Sequence, residues 1–192
     1  MTHKKNGGTW QRGHGLLRLM MIVFGSMVMT GCDVSRNWTE EVRLADGSLI
    51  VIKRKIVRER FGEPGHPGRV LKQEIEYDTP GGVIRWPGDI DPMIFDFANG
   101  KAYVVAYPQV AEECFRYGNP NPPFVFFEQM GSEWRRIYAK DVPDTLEFNL
   151  LQNAWNIGNG RINLALKRMQ DSNPPNHFKK FDKNLNRNCA GY

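Results

Sequence analysis

Short turn signals set between alternating apolar runs constrain this chain most. Asp46-Gly47, Asn99-Gly100 and Gly131-Ser132 each join two segments with a strand-like pattern. Glycine there tolerates the positive φ of a tight hairpin, and Asp46-Gly47 predicts a two-residue type I′ turn. Before it, Trp38, Val42 and Leu44 share one parity, Thr39, Glu41 and Arg43 the other, and Glu40 interrupts the apolar side. The return run, Ser48 to Glu59, starts apolar on both parities (Leu49, Ile50, Val51, Ile52), which predicts cover on both faces.

The pattern continues downstream. Leu71, Ile75 and Tyr77 alternate with Lys72, Glu74, Glu76 and Asp78, and Thr79-Pro80-Gly81-Gly82 turns the chain into Val83–Trp86. Met93, Phe95 and Phe97 alternate with Ile94 and Asp96, answered by Tyr103, Val105 and Tyr107. Phe124–Met130 is followed by Trp134, Arg136 and Tyr138. Pro108–Tyr117 has proline at a helix start, Glu112 and Glu113 inside and Gly118 to end it. A second helix is expected over Ile162–Met169, and Thr145–Gln152 suits either a strand or a helix start.

The hairpin glycines are unequally spaced, which argues against a repeat architecture. The expectation is a mainly β (α+β) fold: a twisted antiparallel sheet of hairpins curling into a sandwich or partial barrel, with one or two short helices.

Ahead of this domain, Lys4, Lys5, Arg12 and Arg18 precede an apolar run that ends Met29-Thr30-Gly31-Cys32, with no acid before Asp33. That is the order of a secretory signal, and the run is too short and too close to Arg18 for a membrane span of ~20 residues. The ending resembles the lipobox of bacterial prolipoproteins, with Met29 where that family prefers leucine. The resemblance implies cleavage between Gly31 and Cys32 and acylation of Cys32. An uncleaved signal anchor, or an ordinary signal with an incidental cysteine, is the alternative. Asp33 after the lipidated cysteine resembles the inner-membrane retention signal of enteric bacteria, which favours the inner over the outer membrane without deciding between them. The implied organisation is a signal peptide over 1–31, a lipidated tether over 32–37, one periplasmic domain over 38–170 and a polar, Asn- and Lys-rich tail over 171–192.

The leader also changes the charge. It holds four of the 26 Lys and Arg and none of the 21 Asp and Glu, leaving 22 basic against 21 acidic side chains. A near-neutral exported domain of about 160 residues has no nucleic-acid footprint. With Cys32 lipidated, Cys114 and Cys189 remain as an even pair, either bridged, as an oxidising compartment favours, or as two separate thiols.

Catalytic signals are weak. His66 and His177 lie in separate polar stretches, so neither a metal site nor any other cofactor is expected. Asp89, Asp91 and Asp96 offer paired carboxylates for glycan hydrolysis, against their ordinary use beside Pro and Gly in turns. Trp38 and Trp134 share parity with apolar neighbours and suit the core. Trp86 and Trp155 border Pro/Gly or Asn/Gly loops and are the candidate ligand surface. The basic stretch Lys53–Arg60 suits either contact with anionic lipid or a solvated edge that blocks strand pairing.

The run Tyr107-Pro108-Gln109 through Cys114, Tyr117-Gly118-Asn119-Pro120, Phe124-Val125-Phe126-Phe127 and Trp134-Arg135-Arg136-Ile137 is similar to uncharacterised lipoproteins of proteobacteria. It implies no activity and no site. The expected function is a lipid-anchored, non-enzymatic binding or structural module of the envelope. Its partners would be the membrane, through the anchor, and an envelope protein or peptidoglycan; the alternative is a glycan-acting hydrolase using Asp89, Asp91 or Asp96.

Overall fold

The computed structural model describes residues 33–60, 68–152, 160–171 and 181–189. Within the unit from Asp33 onward, nine strands form two sheets. The first sheet contains β1 (Val34–Arg43), β2 (Leu49–Arg58), β3 (Val70–Thr79), β4 (Gly82–Gly88) and β9 (Arg161–Ile162), in the order β4-β3-β2-β1-β9. The second contains β5 (Asp91–Ala98), β6 (Lys101–Tyr107), β7 (Val125–Met130) and β8 (Glu133–Ile137), in sequence order. All pairings are antiparallel except β1 with β9. Helix α1 (Ala111–Arg116) joins β6 to β7, and α2 (Leu164–Asp171) follows β9. The sandwich-like β fold expected from the hairpin pattern is the observed one, and the barrel is not closed.

Val42, Ile52, Ile75 and Trp86 from the first sheet meet Phe95, Val104, Ala106 and Val125 from the second. The second sheet is covered on its outer face too. There Met93, Ile94, Tyr103, Val105, Phe124 and Phe126 pack beneath Val142, Leu146, Phe148 and Phe181. This is why β5 and β6 are buried on both parities. A register shift between Pro92 and Ile94 places Met93 and Ile94 in the same cluster, breaking the alternation that paired Met93 with Phe95.

The four hairpins share a polarity. Tight turns close β1–β2, β3–β4, β5–β6 and β7–β8 at one end of the sandwich. The start of β1, the end of β2 and start of β3, the β4–β5 connection, the α1 segment and the exit of β8 lie at the other. Contacts between layers fix this alignment. Asp91 at the start of β5 meets Gln73 near the start of β3, whereas Asp96 further along meets Ala45 just past β1.

Several expectations are corrected. The Asp46-Gly47 turn is longer than two residues: Leu44 N–H bonds Ser48 O, Gly47 N–H bonds Leu44 O, and only Gly47 takes positive φ, at +85°. The type I′ pattern instead occurs at Asn99-Gly100, with φ of 52° and 75°. The start of β2 is covered on one face only, since Leu49 and Val51 are exposed. Lys53–Arg60 is no edge either, because β2 lies between β1 and β3 and Arg54 is buried. β1 starts at Val34, so most of the stretch read as a tether is strand. The polar tail, whose order the sequence leaves open, is pinned over 181–189: Phe181 stacks against Phe124 at 5.4 Å and Phe148 at 5.6 Å, and Lys183 bonds Val142 O at 2.6 Å. Thr145–Gln152 forms no regular element and runs over the second sheet as a strap.

Candidate functional site

Polar residues occupy inward positions of the first sheet, where its alternation calls for apolar ones. Glu40 follows Trp38 and precedes Val42 on β1, Arg54 lies between Ile52 and Ile56 on β2, and Gln73 precedes Ile75 on β3. All three are buried, with Glu40 at 0% exposure. Burial of a carboxylate is tolerated only with compensating charge and hydrogen bonds, and Glu40 has both. Its Oε2 accepts from Arg54 Nη1 at 3.0 Å and Trp38 Nε1 at 3.2 Å. Its Oε1 accepts from Leu151 N–H at 2.5 Å and is 2.6 Å from Lys167 Nζ. Burial pushes the Glu40 carboxyl up, but Arg54, Lys167 and the bonds from Lys167 and Leu151 together hold it below its ordinary value.

The same guanidinium continues the network. Arg54 Nη1 donates to Leu151 O at 2.7 Å, Nη2 reaches Gln73 Oε1 at 3.4 Å and lies 3.9 Å from Asp91. Asp91 accepts from Gln73 Nε2 at 3.0 Å and Gln109 Nε2 at 2.7 Å. Burial nevertheless keeps the Asp91 carboxyl above its ordinary range, against the pull of Arg54 and Gln73. Arg54 also lies 4.9 Å over the Trp38 ring, and Lys167 donates to Asn149 O at 2.6 Å. Two carboxylates and two cations thus link the first sheet, the start of β5, the 149–151 strap and α2. The set contains no nucleophile, although Trp38 and Arg54 also line a surface groove of about 570 Å³ with Lys53, Lys55, Glu74 and Glu76. It acts as an electrostatic clasp between layers.

The carboxylates weighed for glycan hydrolysis serve different partners. Asp89 accepts from Arg116 and Tyr117, tying the β4–β5 turn to α1. Burial and that carboxylate push the Tyr117 phenol up. Asp91 belongs to the clasp. Asp96 accepts from Ala45 N–H at 3.0 Å and Phe97 N–H at 2.7 Å, holding the β1–β2 turn onto β5. None of these hydrogen-bond partners is shared among the three. Among the described residues, no cluster of three or more His, Cys, Asp or Glu could hold a metal ion.

Trp86 is corrected most sharply. It is 1% exposed and packs edge-on against Phe127 at 5.7 Å, so it is core and not ligand surface. Gly88 leaves space for the indole: a Cβ there would sit 2.0 Å from the ring. Trp38 is core as expected, and Trp134 is half-buried, its Nε1 donating to Arg85 O at 2.6 Å. Trp155, Gly31, Cys32, His66 and His177 lie outside the described residues.

Cys114 on α1 is joined to Cys189, with Cα atoms 5.6 Å apart. Cys189 N–H also bonds Pro120 O at 3.3 Å, and Arg187 N–H bonds Asn121 Oδ1 at 3.1 Å. The C-terminal stretch is thereby fastened to the α1–β7 connection. Two further surface grooves lie beside this frame. One, of about 850 Å³, runs beside the open edges of β4 and β8, past Lys72, Arg85, Phe127 and Trp134. The other, of about 480 Å³, lies between the α1–β7 connection and the exit of β8, past Tyr117, Pro122, Arg136 and Tyr138.

No protein-family model matches the chain, and no match is found among curated proteins or solved structures.

Proposed function

We propose that the chain is a lipid-anchored protein of a bacterial envelope, facing the periplasm, whose β-sandwich serves as a rigid binding or structural module. The observation that carries this reading is the use of the three cysteines. Cys114 and Cys189 are bonded to each other, which suits an oxidising compartment. The one cysteine left over is Cys32, at the end of the Met29-Thr30-Gly31 leader. A diacylated cysteine anchors stably where one chain holds only marginally.

The polar interior favours a module over an enzyme. Its charged groups are spent on one another, and Asp96 and Asp89 are engaged in holding the β1–β2 turn and α1 in place. A partner would meet the outer surfaces or the grooves.

Cys32→Ala tests the anchor. The variant is expected in the soluble fraction or as unprocessed precursor, without lipid label. Wild-type membrane association and lipid labelling in that variant would contradict the proposal.

A further inference from the structure

Resting on that anchor, we propose that the end of the sandwich from which β1 starts lies on the phospholipid interface of the membrane, with Val110, Phe115 and Tyr138 entering it. Three observations on different segments converge there. Only Asp33 separates Cys32 from β1, so the lipidated residue lies within about 7 Å of Val34. Val34 pairs with Arg58, and Arg58 with Val70, which places the end of β2 and the start of β3 beside the start of β1. The α1 segment joins the same end through Arg69 to Glu112 at 2.9 Å, and through Arg116 to Asp89.

That end exposes large apolar groups that the fold does not need for its core. Phe115 is 65% exposed, Val110 48% and Tyr138 76%. They come from α1, its N-cap and the exit of β8, three positions that the strand order puts at the same end of the two sheets. Phenylalanine and valine partition into the headgroup–acyl boundary, and tyrosine favours the interface because its ring is apolar and its hydroxyl wet. Arg69 and Arg116 are partly neutralised by Glu59, Glu112 and Asp89. Docking therefore rests on the apolar side chains, with lipid charge a secondary aid. Leu49 and Val51 are also exposed, but they follow the β1–β2 turn, about 23–30 Å along β2 from Arg58. An anchor with a one-residue link leaves them facing away from the bilayer.

The test is photocrosslinking of the full chain in intact cells. A photoreactive phenylalanine analogue is placed singly at positions 115, 138 and 49, and lipid labelling of Cys32 is read in the same cells. The expected result is a phospholipid adduct from 115 and 138 in several-fold excess over 49. In a second chain, Val110→Asp with Phe115→Asp should lower the adduct from 138 several-fold while Cys32 stays labelled. Labelled Cys32 with equal lipid adducts from 115 and 49, or with protein adducts in place of lipid at 115, overturns the docking and leaves the anchor standing. Unlabelled Cys32 overturns the anchor and the docking with it.

Discussion

Lys167 on α2 meets the buried carboxylate of Glu40 on β1 at 2.6 Å, so α2 is held to β1 through the interior of the sandwich. Arg54 completes the contact from β2 at 3.0 Å. Removing one member of such a set leaves its partners charged and buried, which is more damaging than the set is stabilising. Glu40→Gln should therefore destabilise the domain by about 3–5 kcal/mol in urea titration. A loss below ~1 kcal/mol would mean that water reaches the network and screens it.

Asp96 gives stability a dependence on pH of the opposite sign. Burial raises its carboxyl to about 6, aided by Asp46 and Glu147 and opposed by the N–H groups of Phe97 and Ala45. The folded protein thus holds this proton at a pH where the unfolded chain, with its carboxyl near ~3.9, has released it. The Asp96 contribution to stability grows as pH falls from above 6 toward 4, whereas that of Glu40, whose carboxyl is lowered, fades below about 4.3. Asp91 and Glu113 are raised by burial as well and contribute with the same sign, so Asp96→Asn should reduce the slope of the profile between pH 4 and 6 and leave the acid limb intact. A profile unchanged in that window would remove Asp96 as a source of it.

Gly88 and Trp86 predict a steric effect. Gly88→Ala brings a methyl into the indole, whose place is fixed by the core around it, and overpacking of this kind costs about 1–3 kcal/mol. Trp86→Ala should cost about 3–5 kcal/mol through the cavity it opens. Thermal denaturation of both variants separates this from the surface role read in the sequence. A surface tryptophan would lose little stability on truncation.

The hairpins were legible because their signals are local. Alternation and turn residues lie within a few positions of one another, and eight of the strands follow from them. The two-residue β9 is too short to show a period. Trp86 was misread because Pro87 and Gly88 look like a loop, although Gly88 is there to admit the indole. The clasp left half a trace. Glu40, Arg54 and Gln73 each interrupt an apolar parity, which marks inward polar positions, but their partners Asp91, Leu151 and Lys167 lie far along the chain and carry no local sign.

The disulfide closes a separation of 75 residues, for which loop entropy gives up to about 4–5 kcal/mol. Reduction, or Cys189→Ser with Cys114→Ser, should lower the urea midpoint and expose the 181–189 stretch to proteolysis. Equal midpoints and equal protease resistance with and without reductant would contradict that role.

The anchor is tested most directly by mass spectrometry of the N-terminal peptide of protein isolated from membranes. The account predicts a chain that begins at Cys32, with a diacyl lipid joined to its sulfur through a thioether. A continuous Gly31–Cys32 peptide carrying an unmodified thiol would contradict it.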